Sequence, residues 1–136
     1  MIAFQCYDLG HGSGGRFCDW LASLPPTVRS EIEADLEILQ TERSVEAAGR
    51  FKSLGRTVCR DLVEIVIDFC PLGANTEIHV RILGFSIGPH EFVLLAGFQK
   101  ESNQVYAIEC PRAQTRREGV LRDGKRAVGC HFPQDD

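Results

Sequence analysis

The chain has 136 residues, 43% of them hydrophobic and 25% charged, with 15 Lys and Arg against 19 Asp and Glu for a formal net charge of −4. That is enough for one domain with a single core and an ordinary globular composition; internal repeats and low-complexity segments are absent from the sequence. No apolar run reaches the ~20 residues of a membrane helix, and Met1-Ile2-Ala3-Phe4-Gln5-Cys6 lacks the cationic start of a secretory signal, so no membrane contact and a cytoplasmic location are expected.

Ile2 to Asp8 predicts a first strand, with Ile2, Phe4 and Cys6 on one face. The run Gly10-His11-Gly12-Ser13-Gly14-Gly15 lacks the Gly-Lys-Ser/Thr ending of a phosphate loop and reads as a connector. Arg16 to Leu24 predicts a short helix, with Phe17, Trp20, Leu21 and Leu24 on its buried stripe. Pro25-Pro26 ends it, because neither proline can donate a backbone bond. Thr27 to Arg43 predicts a second helix, buried through Val28, Ile32, Leu36 and Leu39, and the pair forms a hairpin that must cover something apolar.

The cover is a sheet. Asp61 to Phe69 alternates, with Val63, Ile65, Ile67 and Phe69 inward and Glu64 and Asp68 outward. After a loop at Pro71-Leu72-Gly73-Ala74-Asn75 come strands at Ile78–Leu83 and Glu91–Phe98, around a Gly88-Pro89 turn; such short connections favour an antiparallel meander. A last helix is expected between Val105 and Leu121, starting near Cys110 or kinking at Pro111. The predicted fold is α+β: an N-terminal helical hairpin on an antiparallel sheet with a C-terminal helix. It forms one domain over residues 1–122, followed by a flexible tail over 123–136.

The six cysteines include no Cys-x-x-Cys spacing, and several fall inside apolar patterns, where cysteine acts as a small hydrophobe. They read as reduced thiols; Cys130-His131 is a weak metal signal, and neither a metal nor another cofactor is expected. Charge is uneven. Glu31, Glu33, Asp35, Glu37, Glu42 and Glu46 face only Arg43, whereas Arg50, Lys52, Arg56 and Arg60 follow with no acid among them. Lys100, Arg112, Arg116, Arg117, Arg122, Lys125 and Arg126 enrich the last third, so a cationic face can exist on an acidic protein. By strand alternation His79 and Arg81 share a face, near the point where Lys100 and Tyr106 emerge. Cations beside a polar aromatic point to a phosphate or nucleic-acid site.

The wording of several segments, in this order, resembles the RelE/ParE superfamily of toxins, and its phage-derived, HigB-like branch most. These are Phe17-x-x-Trp20-Leu21-x-x-Leu24, Phe51-Lys52-Ser53-Leu54, Leu62-Val63-Glu64-Ile65, Val80-Arg81-Ile82-Leu83, Leu94-Leu95-x-Gly97-Phe98-Gln99-Lys100-Glu101-Ser102 and Ile108-Glu109. The likeness covers roughly residues 16 to 122. It implies a RelE-like fold and the toxin of a type II toxin–antitoxin pair, silenced by a cognate antitoxin. Members commonly cleave messenger RNA on the ribosome, while the ParE-like branch poisons DNA gyrase. The resemblance aligns Lys52, Arg81 and Lys100 with the family's basic positions and Tyr106 with a polar aromatic of some members. Val66 stands where many members carry arginine, Pro111 interrupts their last helix, and the net charge is acidic where ribosome-dependent members are usually basic.

Metal-free RNA cleavage deprotonates the 2′-hydroxyl, stabilises the phosphorane and protonates the leaving 5′-oxygen. Arg and Lys serve the second need, since fixed cations act most strongly where negative charge accumulates. Lys52, Arg81 and Lys100 are therefore the candidate catalytic cations. His79 is a candidate acid or base, and Tyr106 a base-stacking platform or hydroxyl donor. Arg56, Arg60, Arg112, Arg116 and Arg117 are candidate nucleic-acid contacts. Trp20 is expected in the core, and an ion pair of Arg81 with Glu64 is the purely structural alternative. Two functions stay open: a ribosome-dependent endoribonuclease, or a non-nuclease member acting by protein binding, on gyrase or as a phage-derived host-interaction protein.

Overall fold

A computed structural model describes residues 1–8, 16–55 and 57–130; the glycine-rich run, Arg56 and His131 lie outside them. The chain runs β1 (Ala3–Tyr7), α1 (Phe17–Ser23), α2 (Pro26–Gln40), α3 (Val45–Ala48), β2 (Phe51–Ser53), β3 (Val63–Phe69), β4 (Ile78–Ser86), β5 (Glu91–Gln99), α4 (Tyr106–Arg122) and β6 (Ala127–Gly129). The six strands form one sheet in the order β2-β3-β4-β5-β1-β6. The class is α+β, with the expected meander from β3 to β5, extended at its margin by β2, a strand that the sequence reading did not assign. Only β1 departs from it, pairing parallel to β5.

Helices cover both faces. Against one pack Phe17 and Leu21 of α1 and Val28, Ile32, Leu36 and Leu39 of α2, meeting Phe4, Ile65, Ile67, Val80, Ile82, Phe92 and Leu94. Against the other packs α4, where Tyr106, Cys110, Ala113 and Val120 meet Leu83, Phe85, Val93, Leu95 and Phe98. Strand β5 is buried on both faces, which is why its sequence is an unbroken apolar run. Pro25 and Pro26 start α2 rather than merely ending α1: Pro26 occupies the first turn, where a missing N–H leaves no bond unmade. Trp20 is half-buried and lies against Gly97, whose missing side chain makes its room.

Three expectations change. Helix α4 begins at Tyr106, led in by a 3-10 turn at Asn103–Val105, and continues through Pro111 to Arg122. Pro111 and Ala107 are both exposed, so the carbonyl that Pro111 cannot bond lies on the water-facing side of the helix, while Cys110 and Ala113 anchor the helix beside it. Residues 124–130, read as a loose tail, form a 3-10 turn at Gly124–Arg126 and then β6, antiparallel to β1. The cysteines are not all thiols: Cys6–Cys130 and Cys59–Cys110 are disulfides, with Cys18 and Cys70 free. Partners 124 and 51 residues apart leave no local spacing signal to read. Among the described residues, no helix is long and apolar enough to cross a membrane.

Candidate functional site

Strand register builds the site. Lys52 lies opposite Glu64, Arg81 opposite Val66 on one side and Phe98 on the other, and His79 opposite Asp68. Directly opposed residues project to the same face, so Lys52, Glu64, Asp68, His79 and Arg81 share the face that α4 covers. Lys100 continues the β4–β5 pairing, its N–H bonded to the His79 carbonyl at 2.7 Å. Tyr106 opens α4 directly above, its ring edge-on to Phe98 at 5.6 Å.

Arg81 is the hub and is only 8% exposed. One terminal nitrogen donates to Asp68 at 2.6 Å and to the Val80 carbonyl at 2.9 Å, and its Nε lies 3.9 Å from Glu64. His79 Nδ1 sits 2.9 Å from the same Asp68 oxygen. Glu64, 6% exposed, accepts a hydrogen bond from the Tyr106 hydroxyl. The Lys100 ammonium stands 5.5 Å from the Tyr106 ring centroid, within cation–π range.

The electrostatics follow from burial and pairing. Burial opposes charge on Arg81, but the Asp68 bond and the nearby Glu64 outweigh it and hold the guanidinium more firmly protonated than usual. Burial would likewise raise Asp68, yet its bonds to Arg81 and His79 keep its carboxyl below the ordinary range. Burial, then the bond to Glu64, push Tyr106 up to about 12, so its hydroxyl is a proton donor and not a base at neutral pH.

The five candidate catalytic residues, Lys52, His79, Arg81, Lys100 and Tyr106, thus fall on one face; contacts link His79, Arg81, Tyr106 and Lys100 through Asp68 and Glu64, whereas Lys52 stands apart on edge strand β2, opposite Glu64. The ion pair of Arg81 with Glu64, expected as the structural alternative, is present, while Asp68, expected only as an outward-facing acid, is the partner that sequence reasoning missed. The signal was the spacing of the two acids: i and i+4 on a strand share a face and bracket Val66, the residue opposite Arg81. Asp68, His79 and Glu77 also bring donor atoms within 4.8 Å of one another. The Arg81 guanidinium already occupies that Asp68 oxygen, and its positive charge works against a cation there.

The candidate nucleic-acid arginines separate. Arg60 and Arg117 line one cleft of about 320 Å³ with Thr57, Asp61, Gln114 and Glu118, between α4 and the 3-10 turn Thr57–Cys59. Arg117 lies over the Phe85 ring at 5.3 Å, and its buried Nε has no hydrogen-bond partner among the described residues. Arg112 is exposed, 3.6 Å from Glu109. Arg116 is engaged by the fold itself: it donates to the Leu95 carbonyl at 2.7 Å and covers the Tyr7 ring, and burial lowers its pKa. Arg56 lies outside the described residues. A larger cavity of about 420 Å³ lies between α2 and Phe69–Leu72, lined mainly by apolar and small polar groups with no base.

A search of curated proteins finds no match. The family model for phage-derived Gp49-like proteins (DUF891) matches residues 19–118, from within α1 to near the end of α4 and including every residue of the Arg81 cluster. With that span of matched sequence carried on a RelE-like α+β frame, the chain belongs to the Gp49-like phage-derived family, part of the RelE/ParE-like toxin superfamily of toxin–antitoxin modules.

Proposed function

We propose that this chain is the HigB-like toxin of a type II toxin–antitoxin pair, a metal-independent endoribonuclease acting on messenger RNA in the ribosome and silenced by a cognate antitoxin. The observation that carries the reading is the buried Arg81 guanidinium at the centre of a face shared with Lys52, Lys100 and Tyr106. In this mechanism the attacking 2′-oxygen loses its proton and bonds to phosphorus, and the 5′-oxygen leaves with a proton. Arg81, Lys52 and Lys100 stabilise the charge gathering on the phosphoryl oxygens. His79 and Glu64 are the groups available for proton transfer, while Tyr106 donates a hydrogen bond and offers its ring to a base. Arg60, Arg117 and Arg112 extend the contact along the RNA backbone.

One observation favours a second reading. Asp68 and Glu64 already occupy the Arg81 guanidinium, so an incoming phosphate must displace a carboxylate. A superfamily member that acts by binding a protein, gyrase or another host target, has no such demand. Induced expression in bacteria with transcript mapping in a translation extract decides. Arrest with ribosome-dependent cuts, both lost in Arg81→Ala by about a hundredfold or more, supports the nuclease. Arrest with intact transcripts and inhibited supercoiling supports the gyrase reading. Harmless expression with neither response overturns both.

A further inference from the structure

Cys59 and Cys110 are both fully buried and bonded to each other. Cys59 closes the turn Thr57–Cys59, which leads through Arg60, Asp61 and Leu62 into β3, the strand of Glu64. Cys110 lies four residues after Tyr106, one turn along the same buried face of α4. The bond therefore joins the approach to Glu64 with the helix turn that carries its partner, Tyr106. It also ties together the two segments that wall the cleft of Arg60 and Arg117: Thr57, Val58 and Arg60 flank Cys59, and Gln114 lies one turn after Cys110 on α4. The turn is not relaxed: Asp61 has φ +65°, a left-handed conformation that a residue with a side chain adopts at a cost. Besides the disulfide, a Gln114 side-chain bond to the Arg60 carbonyl and a Leu62 N–H bond to the Cys59 carbonyl hold it.

We propose that Cys59–Cys110 is a redox-controlled clamp, opened by a dithiol reductant, that sets the shape of the Arg60–Arg117 cleft and the hold of Tyr106 on Glu64. A thiolate of the reductant attacks one cysteine sulfur, and the S–S bond breaks. A mixed disulfide forms, and the other cysteine leaves as a thiolate that takes up a proton. The reductant's second sulfur then attacks the mixed disulfide, frees the remaining cysteine and leaves the reductant as its own disulfide. Two electrons and two protons have passed to the protein. Cys6–Cys130 is a separate bond at the sheet edge, tying β6 to β1 through a half-buried Cys130, and it is the more accessible to reductant. The clamp is independent of what the site acts on, because thiols and amide exchange report it without any substrate.

The test uses the full chain carrying Cys18→Ser and Cys70→Ser, so that only the bonded cysteines remain. Unfolded without reductant, it is expected to show no alkylatable thiol, and graded dithiothreitol to release the Cys6–Cys130 pair before the Cys59–Cys110 pair. Opening the second pair is expected to speed amide exchange in 57–62 and 106–113 roughly tenfold or more, with β4 and β5 unchanged. Thiols free before any reductant, unchanged exchange after both bonds open, or exchange rising equally in β4 and β5 would each overturn the proposal. Cys59→Ser with Cys110→Ser supplies an independent check, and if that variant does not fold the reduced protein gives the same reading.

Discussion

At Asp68 a single carboxylate oxygen receives both Arg81 and His79. Because its folded pKa is depressed, the stability it contributes is present above the unfolded carboxylate pKa and is lost as pH falls through the folded value. Asp68→Asn is expected to flatten the acid limb of a melting-temperature profile taken between about pH 2 and pH 5, the carboxylate range. It is also expected to tighten RNA binding several-fold, measured by anisotropy, because Arg81 no longer needs to be released. Tyr106 behaves in the opposite sense. With its folded pKa raised to about 12, the stability tied to its neutral hydroxyl is intact below about pH 10, the unfolded phenol pKa, and disappears as pH climbs through the folded value. Tyr106→Phe removes that alkaline loss, which denaturant midpoints at pH 8 and pH 11.5 will register.

Among the elements, β5 shows how tightly sequence and packing are matched. Gly97 gives way to the Trp20 ring, and a methyl group there would overlap it. Gly97→Ala is expected to push α1 off the sheet and cost about 1–3 kcal/mol in a urea titration, with the m-value unchanged. The helix stripes and the β3–β5 meander were legible in the chain because their apolar periods are long and clean: Val28, Ile32, Leu36 and Leu39 are all buried as their spacing predicts. The convergence of Arg81 and His79 was legible for the same reason, since alternation fixes a shared face. What stayed hidden depended on partners distant in sequence. Asp68 looked like a surface acid, and Glu64 like no more than an ion-pair partner of Arg81, until register set Arg81 across from Val66, between them. Arg116 looked free until α4 laid it on Tyr7, and the disulfides and β6 needed the whole sheet to be seen.

For the molecule as a whole, the sheet sets the acids of α2 apart from the site cations, while Glu64 and Asp68 share the cations' own face. The exposed Glu31 and Glu37 belong to α2 on one face, while Lys52, Arg81 and Lys100 gather on the other. If three of these cations neutralise phosphates of a single strand, the logarithm of affinity should fall against that of salt concentration with a slope of roughly −2. Lys52→Ala should shallow the slope by about 0.7, and an unaltered slope in fluorescence titrations would remove that lysine from the contact. The sheet is bounded by three-residue strands at both margins, β6 on one side and β2 on the other. At the margin formed by β2, exposed Lys52 is a solvated charge on an edge that no further strand pairs among the described residues, the arrangement that discourages strand-to-strand stacking between molecules. If the proposed function holds, a single side chain thus serves two masters, solubility and ligand grip. Lys52→Glu and Lys52→Leu will part them: the glutamate variant should stay dispersed yet lose its ligand, whereas the leucine variant invites fibrous precipitation.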